Sequence, residues 1–103
     1  MRHALESNQA EVRVGVGSTV LAICTDRPSL LPSLLDKLPS GWRQTSSLGL
    51  DRCYVLWAET APFRLDVDRA RLCEGTDLAV VLAAFAADLK TFLAAHALKT
   101  PTS

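Results

Sequence analysis

Hydrophobic and polar residues alternate along the first part of the chain, which is the pattern of a β-strand with one buried face. Val12, Val14 and Val16 occupy alternate positions, and a second apolar run, TVLAICT, fills positions 19–25. Successive side chains of a strand point to opposite faces of a sheet. The pattern therefore predicts either one long strand with a bulge near residues 15–17 or two strands joined there by a tight turn.

Helical spacing replaces this alternation after residue 25. Leucines recur three and four positions apart, at positions 30, 31, 34, 35 and 38, so they fall on one face of a helix. We expect Asp26 to cap this helix and Pro28 to lie in its first turn, where the missing N–H group has no helical partner to lose. Pro39 and Gly41 are expected to end it.

The second half of the chain repeats the change from strands to a helix. Residues 51–59 are rich in β-forming side chains, residues 63–67 alternate apolar and polar, and residues 68–75 are expected to return as a short edge strand. Thr76 is expected to cap a final helix. The apolar seam of that helix comprises Leu78, Val81, Leu82, Phe85, Leu89, Phe92, Leu93 and His96.

This order of elements predicts an α+β fold, with a mainly antiparallel sheet of about four to five strands and two helices packed on one face. We expect a single domain over residues 11–98, between a disordered N-terminal tail (1–10) and a C-terminal tail (99–103). The predicted core comprises Val14, Val20, Leu21, Ile23, Leu31, Leu34, Leu35, Leu38, Tyr54, Leu56, Phe63, Leu65, Leu82, Phe85, Leu89 and Phe92.

The charges of the chain balance, which argues against several classes of partner. Eleven basic and eleven acidic residues give a formal net charge of zero over 103 residues. There is thus no electrostatic footprint for nucleic acid or for an acidic membrane. A zero net charge also leaves little repulsion between copies, which favours self-association or a protein partner.

One apolar segment has the length of a membrane span. It covers residues 78–97, but Asp88, Lys90 and His96 interrupt it, and a charge in the middle of a bilayer costs about 3 kcal/mol. We therefore expect a buried or partner-facing helix and no membrane. The first twenty residues lack the continuous apolar run of a secretory signal, so the predicted location is the cytoplasm.

None of the motifs carries the signature of an enzyme. GVGSTV (15–20) lacks the third glycine of a dinucleotide-binding loop and the Gly-Lys pair of a P-loop, so we interpret it as a turn or a bulge. The cysteines at positions 24, 53 and 73 form no C-x-x-C pair, which indicates packing within strands. Nothing in the sequence places a partner beside His3 or His96. We predict no catalytic residue, no cofactor and no metal site.

The remaining candidate for chemistry is an arginine-rich hairpin. Two acids fall two positions apart on a predicted strand, hence on the same face, with three arginines close by. The residues are Arg64, Asp66, Asp68, Arg69 and Arg71. A solvated hairpin with paired charges is the simpler interpretation. The alternative function is an enzyme subunit whose site uses this hairpin and is completed by another chain.

Two stretches resemble a known family. They are LLPSLLDKLPSGWRQTSSLGLDRCYVL and LCEGTDLAVVLAAFAADLKTFLAAHA, and they are similar to the region that precedes the P-loop kinase domain in bacterial proteins related to HPr kinase. That region typically shows a leucine-rich helix, an L-P-x-G-W ending, a D-R-x-Y strand and a helix that closes in A-x-H-A. The matching residues are Leu38, Pro39, Gly41, Trp42, Asp51, Arg52, Tyr54, Ala94, His96 and Ala97.

The resemblance covers about residues 11–97, and it stops where the family's chain enters the P-loop. The lysine and acids that perform phosphoryl chemistry in the family would lie beyond Ser103. The resemblance therefore implies an N-terminal accessory domain, either standing alone or cut from a longer kinase-like protein. Its implied function is recognition of a partner or substrate, or assembly, without catalysis.

The final helix is apolar around much of its circumference, which predicts an interaction surface. Ala83, Ala87 and Ala94 fall partly off the core-facing seam, and small residues let another backbone approach closely. We predict that this surface docks against a second copy or a following domain, with Trp42 as an anchor at the rim. Two alternatives stay open: the helix is buried entirely within its own domain, and Trp42 packs over the end of the first helix.

Overall fold

The computed structural model describes the backbone of residues 10–99 and the side chains of residues 10–96. The chain forms β1 (Ala10–Val16), β2 (Thr19–Thr25), a 3-10 turn (Pro28–Leu30), α1 (Leu31–Leu35), β3 (Arg43–Gln44), β4 (Arg52–Trp57), β5 (Phe63–Val67), β6 (Ala70–Gly75) and α2 (Leu78–Lys99). The predicted α+β class is confirmed, with six strands instead of four to five. The predicted tails lie outside the described residues, except for Ala10 in β1 and Lys99 in α2.

The strands form one mixed sheet in the order β3-β1-β2-β4-β5-β6. Neighbouring strands are antiparallel except β2 and β4, which run parallel with Ile23 opposite Tyr54. A parallel pair requires a long crossover, and residues 26–51, which contain α1 and β3, provide it. The sheet is therefore mainly antiparallel, as predicted, with one parallel pair at its centre.

Two tight turns use left-handed backbone conformations. β1 and β2 are separate strands, because Val16 pairs with Thr19 across a two-residue turn in which Gly17 has a φ of 62°. The turn between β5 and β6 places Asp68 and Arg69 at φ values of 50° and 75°. Such turns match the right-handed twist of antiparallel strands. GVGSTV therefore contains a hairpin turn, which is one of the two predicted alternatives, and no bulge.

One face of the sheet carries the core, and both helices pack on that face. The buried cluster comprises Val14, Leu21, Ile23, Leu34, Leu38, Tyr54, Leu56, Ala58, Leu65, Val81, Phe85 and Leu89. Five other predicted core residues are partly buried against it, namely Leu31, Leu35, Phe63, Leu82 and Phe92. Val20 is an error of the prediction, since the odd-numbered residues of β2 face the core and Val20 lies on the opposite face.

The first helix is shorter than the leucine spacing predicts. α1 spans five residues and follows a 3-10 turn that begins at Pro28, with Pro32 at its N-terminal end. Proline is tolerated only in the first turn of a helix, which limits the regular segment. The predicted cap is wrong. The Oδ1 atom of Asp26 accepts hydrogen bonds from the N–H groups of Ala58 and Glu59 at 2.7 and 3.1 Å, so it ties the start of the crossover to the end of β4.

The last helix also starts from a different cap. The side chain of Asp77, and not that of Thr76, caps α2, because Asp77 Oδ1 accepts a hydrogen bond from the N–H group of Ala79 at 3.1 Å. Aspartate and threonine are both favourable caps, so their order in the sequence did not decide between them. The predicted seam is unaffected, since Phe85 and Leu89 are buried.

Candidate interaction surface

The two faces of α2 differ in exposure. Val81, Phe85 and Leu89 are buried against the sheet. The opposite face presents small or apolar side chains to solvent, and we call it the alanine ridge; it consists of Val80, Ala83, Ala87 and Ala94. Val80 is 57% exposed. The helix is therefore not buried entirely within its own domain, which removes one of the two alternatives for it.

The same helix meets the length and composition expected of a membrane span. Leu78–His96 has a mean hydropathy of 1.9, and 17% of the most apolar window is buried in the domain. By these criteria alone it is long and apolar enough to cross a bilayer. The core helix of a folded domain can meet the same criteria, and α2 packs on the sheet through its buried face.

Asp88, the carboxylate in the middle of α2, is held by two side chains of β4. Its Oδ2 atom accepts hydrogen bonds from Tyr54 OH at 2.7 Å and from Arg52 Nη1 at 2.9 Å. The Tyr54 ring meets Phe85 edge-on with 4.9 Å between ring centroids. The Arg52 guanidinium lies 4.2 Å from the centroid of the Phe92 ring. These contacts lie on the side of α2 that faces the sheet, together with the buried Val81, Phe85 and Leu89, so the alanine ridge points away from the sheet.

The environment of Tyr54 and Arg52 raises the pKa of both side chains. Burial, together with the hydrogen bond to Asp88, raises the pKa of Tyr54 above its usual range. Burial by itself would lower the pKa of Arg52, but hydrogen bonds with Tyr54 and Asp88 outweigh it and the pKa is raised. Both groups therefore keep their protons at neutral pH and donate to Asp88. We call Arg52, Tyr54 and Asp88 the clasp, because their hydrogen bonds connect α2 to β4.

The clasp extends to the end of α2 and to the β5–β6 turn. Arg52 Nε lies 3.4 Å from Asp68 Oδ2, and His96 Nε2 lies 4.0 Å from Asp51 Oδ1. The D-R-x-Y strand and the A-x-H-A helix, which carry the family resemblance, thus meet in space. The sequence pattern does not reveal the role of Asp88, because there it stands out only as an interruption of an apolar run.

A groove separates α2 from the segment that follows α1. Its volume is about 420 Å³. We call it the lysine groove, and it is lined by Lys37, Pro39, Ala86, Leu89, Lys90 and Leu93. The lining is mainly apolar, and among the described residues that form it the two lysines are the charged ones. Sequence patterns did not indicate this groove, because its walls come from segments that are far apart in the chain.

Trp42 is not one of the residues that line the groove. Its side chain is half-buried and packs against the core, in agreement with the packing alternative. Ala83, Ala87 and Ala94 share one exposed surface, whereas nothing in the structure brings Trp42 to that surface. Its role as a rim anchor therefore stays a prediction.

The arginine-rich hairpin consists largely of charge pairs. Arg64 Nη2 lies 3.1 Å from Asp66 Oδ2, which also accepts a hydrogen bond from Trp57 Nε1 at 3.0 Å. Arg71 Nη1 lies 2.7 Å from Glu74 Oε1. This pairing is the arrangement expected of a structural hairpin, and no observation favours the alternative of a shared enzyme site.

The two acids of the hairpin do not lie together on one strand face, contrary to the prediction. Asp66 is in β5, whereas Asp68 is in the turn, where its Oδ1 atom accepts a hydrogen bond from the N–H group of Cys53 at 2.9 Å. Arg69 is exposed in the same turn. Within the part of the chain that the structure describes, no group of three or more His, Cys, Asp or Glu residues could hold a metal ion.

The three cysteines are free and half-buried. Cys24 and Cys53 lie on the sheet face opposite the helices, and Cys73 packs against the core. Burial, followed by the proximity of Cys53, raises the pKa of the Cys24 thiol to about 12, and burial raises the pKa of Cys53. Such thiols stay protonated at neutral pH and are weak nucleophiles, in agreement with a packing role.

The chain matches no family model, no curated protein and no solved structure. The resemblance to proteins related to HPr kinase therefore rests on its short motifs alone and stays a prediction.

Proposed function

We propose that this chain is a non-catalytic interaction domain that docks against another protein through the alanine ridge. The observation that carries the proposal is the exposure of this ridge on a 22-residue helix whose opposite face is buried. Contiguous apolar surface on a small domain commonly marks a contact site. Alanine side chains let a second helix approach closely, and they have no rotamer freedom to lose on binding.

The edges of the sheet are less suited to a partner. An exposed edge strand can pair with a strand from another chain. Here β3 is two residues long, and β6 has an irregularity opposite Leu65 and Asp66 as well as the exposed pair of Arg71 and Glu74. Short strands, bulges and charges are features that oppose edge-to-edge association. The ridge is the more favourable surface.

A second copy of the chain is the simplest partner for the ridge. The formal net charge is zero, and the four ridge residues are uncharged, so little overall charge repulsion opposes the association of two copies. Two antiparallel copies of α2 related by a two-fold axis near Ala87 would bring Val80 opposite Ala94 and Ala83 opposite Thr91. The helix dipoles would then also be opposed, which is favourable. A following domain is the other form of the same proposal.

The family resemblance supports the same class of function. In proteins related to HPr kinase the corresponding region is an accessory region outside the catalytic domain. Of the motif residues, His96 lies 4.0 Å from Asp51 and lines the same cavity as Arg52, which suits a role in building the fold. Recognition or assembly would then fall to the exposed surface, in a cytoplasmic protein that binds neither nucleic acid nor membrane.

Light scattering at tens of micromolar tests the proposal. We expect light scattering to give the native chain a mass above that of the 11.1 kDa monomer. Ala87→Glu should lower the measured mass to that of the monomer, because the interface would bury a carboxylate without a partner. Ser46→Glu is the matched control, since it adds the same charge at an exposed loop position away from α2. It should behave as the native chain does.

The other outcomes are also informative. A native chain that stays monomeric would exclude the second copy and leave docking against a different domain. A dimer that Ala87→Glu does not weaken would place the interface elsewhere and refute the role of the ridge.

A further inference from the structure

The lysine groove is a second surface, and its chemistry differs from that of the ridge. Its floor contains the buried Leu89 and the half-buried Ala86 and Leu93, and Pro39 contributes to the opposite wall. Its volume of about 420 Å³ falls within the range of sites that enclose apolar ligand groups. Large apolar side chains of a partner would be removed from water there.

Two ammonium groups flank this apolar floor. Lys37 and Lys90 are both exposed, and neither forms an ion pair with any residue between 10 and 96. The carboxylate closest to Lys90 in the sequence, Asp88, is bound by Tyr54 and Arg52. The groove is therefore complementary to apolar side chains bordered by carboxylates, since opposite charges at a rim favour association and register.

We propose that the lysine groove binds an acidic amphipathic helix of a different protein. Its large apolar side chains occupy the groove, and its glutamate or aspartate side chains lie on Lys37 and Lys90. A helix suits this place because one wall is the flank of α2, where the backbone groups are already bonded within the helix. A peptide that binds by strand addition needs a sheet edge to pair its backbone groups, whereas a helix bonds its own. Ala86 lets the partner approach closely.

A second copy of this chain does not supply such a ligand. Asp88 is the only acidic residue of α2, and it faces Tyr54 and Arg52 on the sheet. A copy of α2 in the groove would also bring its own Lys90 toward Lys37 or Lys90 of the first copy. The groove thus goes beyond the contact proposed for the ridge, and either proposal can fail while the other stands.

Fluorescence anisotropy with a designed peptide tests the groove on the full chain. The probe is a fluorescein-labelled helical peptide of about four turns, with leucines on one face and glutamates beside them. We expect micromolar affinity, a loss of about tenfold when every glutamate is replaced by glutamine, and a similar loss for Lys90→Glu. Arg27→Glu, which reverses an exposed charge outside the groove, should change the affinity by less than about twofold.

Amide chemical-shift changes on peptide addition would locate the contact, and we expect them at Ala86, Leu89, Lys90 and Leu93. No binding at about 1 mM chain would overturn the proposal, as would binding that Lys90→Glu leaves unchanged or shifts confined to the sheet. Binding of dodecanoate without binding of the peptide would also overturn it, in favour of a small amphipathic carboxylate. Lys37→Glu should weaken peptide binding to a similar extent and leave light scattering as in the native chain, because Lys37 lies outside α2. This variant separates the test of the groove from that of the ridge.

Discussion

Replacing Asp88 by alanine tests whether this carboxylate holds α2 on the sheet or only interrupts an apolar helix. Within a helix, alanine is favoured over aspartate by about 0.6 kcal/mol. If Asp88 were only an interruption, Asp88→Ala would therefore stabilise the protein. The contacts of the side chain predict the opposite sign.

Two charge-assisted hydrogen bonds oppose the gain in helix propensity. Asp88 Oδ2 accepts from Tyr54 OH at 2.7 Å and from Arg52 Nη1 at 2.9 Å. A hydrogen bond to a charged group contributes about 1.5–3 kcal/mol. The lower value applies here because the side chains of Asp88 and Arg52 are 23% and 26% exposed. The two bonds together contribute about 3 kcal/mol, so the net destabilisation should be about 2 kcal/mol.

Urea unfolding, monitored by tryptophan fluorescence, would measure this loss. The slope of the unfolding free energy against urea concentration should not change. Tm should fall by about 10 °C. Tyr54→Phe removes one donor only and should cost about 1.5 kcal/mol. The double variant should cost less than the two single losses combined, because the residues are in contact. An Asp88→Ala protein that is as stable as the native one, or more stable, would refute the clasp.

The remaining predictions concern titration, packing, backbone conformation and ligand binding. Tyr54 is the only tyrosine, and burial raises its pKa above the ordinary 10.0, so tyrosinate absorbance should appear at higher pH in the folded protein than in urea. The contribution of the protonated Tyr54 side chain to stability should be present below about pH 10 and lost as the pH rises further. Tyrosinate absorbance that appears at the same pH in the folded protein and in urea would contradict this. Phe85→Ala should cost about 3–5 kcal/mol in the unfolding assay and Val80→Ala less than about 0.5 kcal/mol, whereas equal losses would contradict the assignment of the two helix faces. Gly17→Ala, at a φ of 62°, should cost about 1 kcal/mol, and Gly49→Ala, in open space, should cost less; equal costs would count against the left-handed turn. Calorimetric titration with ATP–Mg²⁺ should show no saturable binding in the micromolar range, which would require a formed site worth about 8 kcal/mol; saturable binding would overturn the non-catalytic assignment.

Some features were predictable because they depend on residues a few positions apart. The spacing of Val81, Phe85 and Leu89 identified the buried face of α2, and the alternation of Phe63, Leu65 and Val67 identified a strand. Both patterns follow from local backbone geometry, in which side chains repeat with a helical or an extended period. The exposure of the alanine ridge follows from the same spacing once the opposite face is known to be buried.

The tertiary structure alone decided the features that join distant segments. The parallel pairing of β2 with β4, the burial of Ala58 and the two walls of the lysine groove depend on where the crossover returns the chain. Asp88 changes from an interruption into a clasp only because Tyr54 and Arg52 reach it from the sheet. No period in the sequence encodes such contacts, since they result from many weak interactions that exist together only in the assembled fold.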